Sequence, residues 1–279
     1  MARRRSLEAE ETRRDWRTPL RYVFTSFVLL LLVLFGLYAY GRVDEFLAAE
    51  PRFRLALPAV AGQQSPNLRI EGVVHAPRAR IVETFATDLG RSVYLVPLAE
   101  RRCHLLLIDW LRDAVVSRQW PDRLVVRVFE RTPVAFVQLP VTSPAASHRI
   151  ALIDADGVIL EPPARARFSL PVLTGIRPDQ PLAGRRQRVR QALRLIEEIG
   201  PMAKDVSEMD VADPENLKLV RPLGGRVIVL FLGNRNFLSR LESFLLHYEE
   251  IQKRSPEAST FDLRLDDRIT AVEEGGRLG

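Results

Sequence analysis

The chain has 279 residues, a formal net charge of +6 and one cysteine. This length gives room for one or two compact domains. A charge of +6 over so long a chain does not predict nucleic-acid binding, which requires a concentrated basic face. One cysteine cannot form an internal disulfide, so the folded part must be held together by its hydrophobic core. Cys103 itself is predicted to be a buried helix residue, as free cysteines often are.

The first predicted element is a membrane-spanning helix. Residues 22–40 read YVFTSFVLLLLVLFGLYAY and contain no charged residue. At 1.5 Å rise per residue they extend about 29 Å, which matches the roughly 30 Å hydrocarbon core of a bilayer. A cleaved signal peptide is the alternative, but its apolar region is usually about 7 to 15 residues long and ends at a small-residue cleavage site. We therefore assign residues 22–41 to a retained transmembrane helix.

The charges that flank this helix predict its orientation. Seven arginines and four acidic residues precede it, whereas residues 42–54 hold three arginines and three acidic residues. The more basic flank of a membrane helix usually stays in the cytoplasm. Residues 1–21 are therefore predicted to form a cytoplasmic tail, and the chain after the helix is predicted to lie on the periplasmic or extracellular side.

A first folded domain is predicted in residues 67–136, after a proline-containing juxtamembrane connector in residues 42–66. LRIEGV at its start alternates apolar and polar residues as a half-buried strand does. Pro77 and Pro97 each stand where a helix can begin, and two strands follow. The predicted order is strand, helix, helix, strand, strand.

The last of these strands ends unusually, in DRLVVRVFERTPVAF at residues 122–136. Glu130 could be catalytic, or the charges and Pro133 could stop an edge strand from pairing further. No paired acid, nucleophile or ligand set lies nearby in the sequence. The edge-strand interpretation is favoured, and the stretch is predicted to be a domain junction.

A second domain of mixed α/β structure with an open sheet edge is predicted in residues 137–272, which makes the fold class α+β. Its two helices are predicted by apolar stripes near residues 185–200 and 236–254. The tail at residues 273–279 is predicted to be disordered. Strands are predicted at the following positions: a hairpin at 148–163, then 206–212, 216–221, 226–232 and 261–272.

No arrangement of residues predicts catalysis, a cofactor or a metal. The four histidines have no ligand spacing, and the motifs for phosphate loops and nucleophile elbows do not occur in the sequence. Asp154 and Asp156 resemble the start of a calcium loop, but Val158 and Arg165 stand where further oxygen ligands would be needed. A strand hairpin is the simpler interpretation. Asp262, Asp266 and Asp267 are similarly interpreted as the solvent face of a strand.

Several motifs together resemble the FtsQ/DivIB family of bacterial cell-division proteins. L-R-I-E-G, V-S-R-Q-W-P-D-R-L-V-V-R-V-F-E-R-T-P-V-A and the single preceding membrane helix are similar to the POTRA domain of that family and its anchor. LPVLTGI and FDLRLDDRITAV resemble segments of its β domain, and the resemblance extends from residue 22 to about residue 272. The matching POTRA positions are Gly72, Trp120, Pro121, Asp122, Leu124, Glu130, Arg131, Pro133, Val134 and Ala135.

The resemblance implies a non-enzymatic scaffold of the division machinery, held by one helix in the bacterial inner (plasma) membrane at the septum. Its implied partners are proteins of the FtsB, FtsL, FtsW and FtsI types, and its implied role is to help control septal peptidoglycan synthesis. In that family the last strand of the β domain pairs with a segment of FtsB. Leu265 stands where the family commonly has tyrosine, which affects a side-chain contact but not main-chain pairing. The implied partner-binding residues are Arg264, Leu265, Asp266, Arg268 and Ile269.

Two other functions stay open on the sequence alone. A membrane-anchored POTRA adaptor of transport or secretion would be expected to carry an outer-membrane barrel or further POTRA copies, and neither pattern occurs in this sequence. An anchored exterior hydrolase would need an acid pair or a histidine cluster that converges in space. A POTRA-bearing division scaffold is the favoured interpretation.

Overall fold

The structure is a computed structural model that describes residues 17–59, 63–140, 148–265 and 268–272. Within these residues it contains five α-helices and twelve strands, joined by three short 3₁₀ turns. In chain order they are α1 (Arg17–Ala49), β1 (Leu68–Glu71), α2 (Arg78–Glu83), α3 (Leu98–Leu105), β2 (Leu111–Gln119), β3 (Arg123–Glu130), β4 (Pro133–Pro140), β5 (His148–Asp154), β6 (Ile159–Leu160), β7 (Val172–Thr174), α4 (Leu182–Ile199), β8 (Glu208–Asp210), β9 (Leu217–Leu223), β10 (Arg226–Gly233), α5 (Phe237–Arg254), β11 (Thr260–Asp262) and β12 (Thr270–Ala271).

The chain forms two compact units. The first contains α1 and the chain up to Arg69, together with Ala86–Pro97 and Arg118–Leu124. The second contains Ile70–Phe85, Leu98–Ser117 and the chain from Val125 onward. This division passes through the predicted first domain, so the domain boundaries given by the sequence stay predictions.

In the first unit, α1 is longer than the predicted membrane segment. Among the described residues it is the one helix that is long and apolar enough to cross a membrane. It continues to Ala49, so the first part of the predicted connector is helical. The chain then turns, and Phe53 and Leu55 are buried. Residues 53–55 bond through their main chain to residues 90–93, where the Leu55 N–H donates to the Arg91 carbonyl at 2.8 Å. Residues 53–55 of the predicted connector are therefore part of the folded first unit.

The strands of the predicted POTRA domain form a three-stranded sheet in the order β1-β3-β2. With α2 and α3 between β1 and β2, the predicted order of strand, helix, helix, strand, strand is confirmed. Leu124, Val126 and Val128 of β3 are buried, as their alternation with polar residues predicts. Cys103 in α3 is exposed, so the prediction that it is buried was wrong. It lies on the helix face opposite the buried Arg101 and Leu105.

The edge-strand interpretation of Glu130 was also wrong, because β3 is the central strand of its sheet. The carboxylate of Glu130 instead accepts hydrogen bonds from the backbone N–H groups of Val74, His75 and Ala76, at 2.8, 2.9 and 2.8 Å. Its side chain is only 10 % exposed. Glu130 thus fixes the segment that leads from β1 to α2.

The chain passes from one sheet to the next within three residues of Glu130. Arg131 bonds to the Asp154 carboxylate at 2.7 Å, and both side chains are largely buried. Pro133 begins β4, an eight-residue strand that the sequence prediction did not identify. The indole N–H of Trp110 donates to the Glu161 carbonyl at 2.9 Å. The predicted junction is therefore a fixed connection within the second unit.

The second sheet has nine strands in the order β12-β11-β10-β9-β8-β7-β4-β5-β6. Its strands confirm the predicted segments at 148–163, 206–212, 216–221 and 226–232, whereas β7 was not among the predicted strands. The helices α4 and α5 share one buried core with this sheet. Val189, Leu195 and Ile199 contribute to the core from α4, and Phe237 and Phe244 contribute from α5. The inward face predicted for α5 is confirmed at Phe237, Leu241 and Phe244.

Candidate partner-binding edge

The last part of the chain forms one end of the nine-stranded sheet. β11 pairs in parallel with β10, so that Val229 lies opposite Thr260 and Phe231 opposite Asp262. Phe261 and Leu263 are buried, and the Phe261 ring lies 5.2 Å from that of Phe244 in α5. The core thus holds β11 firmly.

The predicted single strand at 261–272 is instead two short strands. β11 ends at Asp262, and the chain returns as β12, which pairs antiparallel with β11. The Val272 N–H donates to the Thr260 carbonyl at 2.9 Å and extends this pairing. The alternation of polar and apolar residues that suggested one long strand is therefore interrupted by a connecting segment. Among the described residues, β12 is the outermost strand and pairs only with β11.

A buried arginine on α5 supports this connecting segment. Arg240 is 8 % exposed although arginine is rarely buried. Its guanidinium donates to the Leu232 carbonyl at 2.6 Å and to the Arg264 carbonyl at 2.7 Å. Because these bonds join α5 to the end of β10 and to the residue after Leu263, they fix the direction in which the chain leaves β11.

The Arg264 side chain turns back onto Asp262. Its Nη2 lies 2.6 Å from Asp262 Oδ2, and its Nε lies 2.9 Å from Oδ1. The guanidinium also lies over the Phe231 ring, 5.8 Å from the ring centroid. This hydrogen-bonded pairing lowers the pKa of Asp262 and raises the pKa of Arg264. The two charges therefore stabilise each other on the side of β11 where Phe231 lies.

A groove of about 500 Å³ separates α5 from the connecting segment. It is open to solvent, and Leu265 beside it is 52 % exposed. Polar and basic side chains come from the helix, and apolar side chains come mainly from the segment. The lining residues are Asn236, Ser239, Arg240, Ser243, His247, Leu263, Leu265, Arg268 and Ile269.

The structure brings some of the predicted partner-binding residues together. Leu265, Arg268 and Ile269 line the groove. Arg264 is not among the lining residues and instead pairs with Asp262. Asp266 lies outside the described residues. All of these residues belong to the connecting segment between β11 and β12, so their role in binding stays a prediction.

Sequence reasoning missed the α5 side of this groove. Arg240 occurs within the apolar stripe formed by Phe237, Leu241 and Phe244. A charged residue at core spacing is the signal that could have identified it, because a buried arginine needs nearby acceptors. His247 lies farther along α5, where its Nδ1 is 2.8 Å from the Ser243 carbonyl.

Asp154, Asp156 and Asp262, which the sequence suggested as metal ligands, are engaged in ion pairs, and Asp266 and Asp267 lie outside the described residues. The Asp154 carboxylate accepts the N–H groups of Asp156 and Val158 at 3.0 and 2.7 Å, in addition to Arg131. The hairpin interpretation of this stretch is confirmed, since β5 and β6 flank it. Over the described ranges, no group of three or more His, Cys, Asp and Glu residues is placed to hold a metal ion.

Two family models match the chain. Residues 66–131 match the POTRA domain, FtsQ-type, and residues 145–264 match the family described as cell division protein FtsQ/DivIB, C-terminal. The second match ends before Leu265, so Leu265, Arg268 and Ile269 of the groove lie beyond it.

Curated relatives show the same similarity. The chain is 32 % identical over 253 residues to the cell division protein FtsQ of Koribacter versatilis. This alignment covers 87 % of this chain and 67 % of the relative. The chain is also 32 % identical over 211 residues to the FtsQ of Novosphingobium aromaticivorans, in an alignment that covers 75 % of this chain and 61 % of the relative. The chain thus spans about two thirds of the length of these relatives.

Proposed function

The chain belongs to the FtsQ/DivIB family of bacterial cell-division proteins, and we propose that it is a non-catalytic scaffold that assembles other division proteins at the septum. The family is one of division scaffolds, and its members support a role in cell division for this chain. One long apolar helix fits a single-pass membrane protein.

The proposed location is the inner (plasma) membrane at the division septum. The tail of residues 1–21 lies in the cytoplasm in this proposal, and the two sheets lie in the periplasm. The excess of arginine before the helix supports this orientation.

The observation that carries the proposal is the outer edge of β12. This strand pairs with β11 on one side, and no further strand of the described part follows it. A partner segment can add to such an edge through main-chain hydrogen bonds, while pockets beside the edge select its side chains. The adjacent groove supplies such a pocket, with apolar Leu265 and Ile269 close to basic Arg268.

The proposed occupant of this edge is an extended segment of an FtsB-type protein, bound together with its FtsL-type companion. Through them, and through contacts with proteins of the FtsW and FtsI types, the chain would help control septal peptidoglycan synthesis. Arg264, Leu265, Asp266, Arg268 and Ile269 are the proposed contact residues. The groove supports this for Leu265, Arg268 and Ile269.

Depletion of the chain in its host, followed by complementation, tests this proposal. The complementing copies carry Leu265→Asp or Ile269→Asp, and the matched control carries Ile150→Asp. Ile150 is an exposed apolar residue on β5, near the other end of the sheet, and its exposed fraction of 62 % is comparable to the 52 % of Leu265. A buried charge at an interface typically costs enough to weaken binding by about tenfold or more.

Filamentous or chained cells are expected with the two groove variants, and normal division is expected with the control, at equal protein levels. Co-purification of the FtsB-type partner with each full-length variant separates binding from other defects. Normal division after complete depletion would remove the division role in this host. Full partner binding by both groove variants would remove the proposed interface while leaving the division role intact.

A further inference from the structure

The turn between β2 and β3 exposes a tryptophan. Trp120 is 76 % exposed, and its neighbour Gln119 is also exposed. A tryptophan side chain carries a large apolar surface, so its exposure leaves that surface available for a contact. Tryptophan is enriched at the interface between a membrane and water, where its apolar ring contacts lipid and its N–H group contacts water or headgroups.

A second exposed apolar residue lies beside this turn. Arg118, two residues before Trp120, donates to the carbonyls of Val93 and Val96 at 2.7 Å and of Tyr94 at 3.1 Å. These bonds hold the 93–96 loop against the end of β2. Leu95, in the middle of that loop, is 38 % exposed. Leu95 and Trp120 therefore lie on two segments that Arg118 joins.

The 93–96 loop is joined directly to the end of the membrane helix. The Val93 N–H donates to the Phe53 carbonyl at 2.8 Å, and the Phe53 ring packs edge-on against Tyr94 at 5.3 Å. Phe53 also packs against Phe46 of α1 at 5.9 Å. The Glu50 N–H donates to the Phe46 carbonyl at the helix end. Packing of Phe53 against Phe46 and Tyr94 therefore joins the end of α1 to the loop that carries Leu95.

The length of α1 places its end close to the lipid headgroups. Twenty residues from Tyr22 fill the hydrocarbon core of about 30 Å, and the next eight residues to Ala49 add about 12 Å. The headgroup layer takes about 5 to 7 Å of that distance. The part of the first unit that follows α1 therefore starts within about 5 to 7 Å of the headgroups, and helix tilt would reduce this distance.

The charge of this region also fits a lipid surface. The parts of the first unit after α1 are residues 50–69, 86–97 and 118–124, which contain six arginines and three acidic residues. One of the acids, Asp88, is fully buried. Arg91 and Arg123, beside the 93–96 loop and the turn, are exposed. Exposed arginines next to a membrane are attracted by anionic lipids.

We propose that the membrane-proximal surface, formed by the 93–96 loop and the 118–123 turn, rests on the headgroup layer of the membrane that α1 crosses. Trp120 and Leu95 enter the interface, and Arg91 and Arg123 bind anionic phospholipid. The contact would hold the part of the first unit that follows α1 against the membrane. It would also limit the rotation of this part about the axis of α1. It does not depend on the proposed partner edge, which belongs to the second unit.

Quenching of tryptophan fluorescence by brominated lipid tests this proposal on the full-length chain. The chain is reconstituted alone in vesicles of phosphatidylethanolamine and phosphatidylglycerol, with Trp16→Phe and Trp110→Phe so that Trp120 is the sole emitter. Two further single-tryptophan proteins calibrate the signal: Tyr40→Trp, at the end of the apolar membrane segment of α1, and Leu107→Trp, at an exposed apolar position outside the proposed surface. Both calibrating proteins also carry Trp120→Phe.

Quenching of Trp120 is expected to approach that at position 40 and to exceed that at position 107 on the order of threefold, as an interfacial tryptophan should. It should fall when phosphatidylcholine replaces phosphatidylglycerol, and again in an Arg91→Gln, Arg123→Gln double variant. Equal quenching at positions 120 and 107, with both accessible to iodide from the water phase, would overturn the proposal.

A second measurement avoids replacing Trp110, which is buried. A spin label is attached at Gln119→Cys in a Cys103→Ser background, and Cys103 itself carries the label in the comparison protein. The measured quantity is the ratio of the label's accessibility to oxygen, which concentrates in lipid, to its accessibility to a water-soluble relaxant. The proposal requires this ratio to be higher at position 119 than at position 103. The same accessibility ratio at both positions would refute the lipid contact.

Discussion

Removal of the Glu130 carboxylate is expected to destabilise the folded chain strongly. The carboxylate accepts three backbone N–H groups, from Val74, His75 and Ala76, within 2.9 Å. In Glu130→Ala these donors lose their acceptor, and each hydrogen bond lost contributes about 1 kcal/mol. The expected loss in the free energy of unfolding is therefore about 3 kcal/mol. In a chain of this size, that corresponds to a fall in Tm of roughly 6 to 12 °C.

The matched control for this substitution is Glu71→Ala. Glu71 pairs with Arg127 at 3.2 Å in the same sheet, but the Arg127 side chain is 61 % exposed. Exposed pairs of this kind contribute about 0 to 1 kcal/mol. Thermal unfolding of the full-length proteins in detergent, followed by the fluorescence of Trp110 at the junction, measures both changes. An equal and small loss for the two variants would show that the three hydrogen bonds to Glu130 contribute little.

Two further substitutions test the β11 turn and a strained glycine. Arg264 lowers the pKa of the Asp262 carboxyl in the folded chain. The ionised carboxylate therefore stabilises the fold at every pH above the Asp pKa of the unfolded chain, about 3.9. This stabilisation is lost as the pH falls through the lower pKa that Asp262 has in the folded chain. Arg264→Gln should move the Asp262 titration midpoint, measured by NMR, up toward its ordinary value, and an unchanged midpoint would contradict the assigned pairing. Gly175 has φ +82°, and a Cβ there would collide with the backbone of Ala212. Gly175→Ala should lower Tm more than the control Gly90→Ala, because Gly90 has a similar φ of +76° but no atom of the described residues near the position of an added Cβ. Equal losses in Tm would show that only the backbone strain matters and that the collision with Ala212 does not.

The sequence predicted the elements whose signals are local. The apolar run of α1, the alternation in β3 and the apolar stripe of α5 each depend on spacing within one segment. Pro97 correctly predicted the start of α3 at Leu98. The hairpin around Asp154 was predictable because Asp156 and Gly157 favour a tight turn. These signals require no knowledge of what packs against them.

The errors arose where a residue's role depends on distant parts of the chain. In the sequence, Glu130 resembled a charge that protects an edge strand. Its actual role as a hydrogen-bond acceptor was hidden because the N–H groups that it binds are more than 50 positions away. β4 was missed because a proline such as Pro133 usually interrupts a strand. Proline is tolerated at the first residue of a strand, however, and this is the position that Pro133 occupies in β4. The segment after Asp262 continued the strand pattern in sequence, but the chain returns as β12 and pairs with β11, and a bond from Arg240 holds the Arg264 carbonyl between the two strands. Spacing along the chain carries no information on such contacts.

The shortness of β12 limits what strand addition alone could achieve. β12 has two residues, so its free edge can offer a partner only about two main-chain hydrogen bonds, worth about 1 to 3 kcal/mol in total. Micromolar binding needs about 8 kcal/mol. Most of the proposed affinity must therefore come from side chains in the groove, or from longer pairing along the connecting segment. Both sources involve Leu265 and Ile269. The proposed interface consequently depends more on these two side chains, and on the Arg240 bonds that fix the backbone between α5 and β11, than on the strand edge itself.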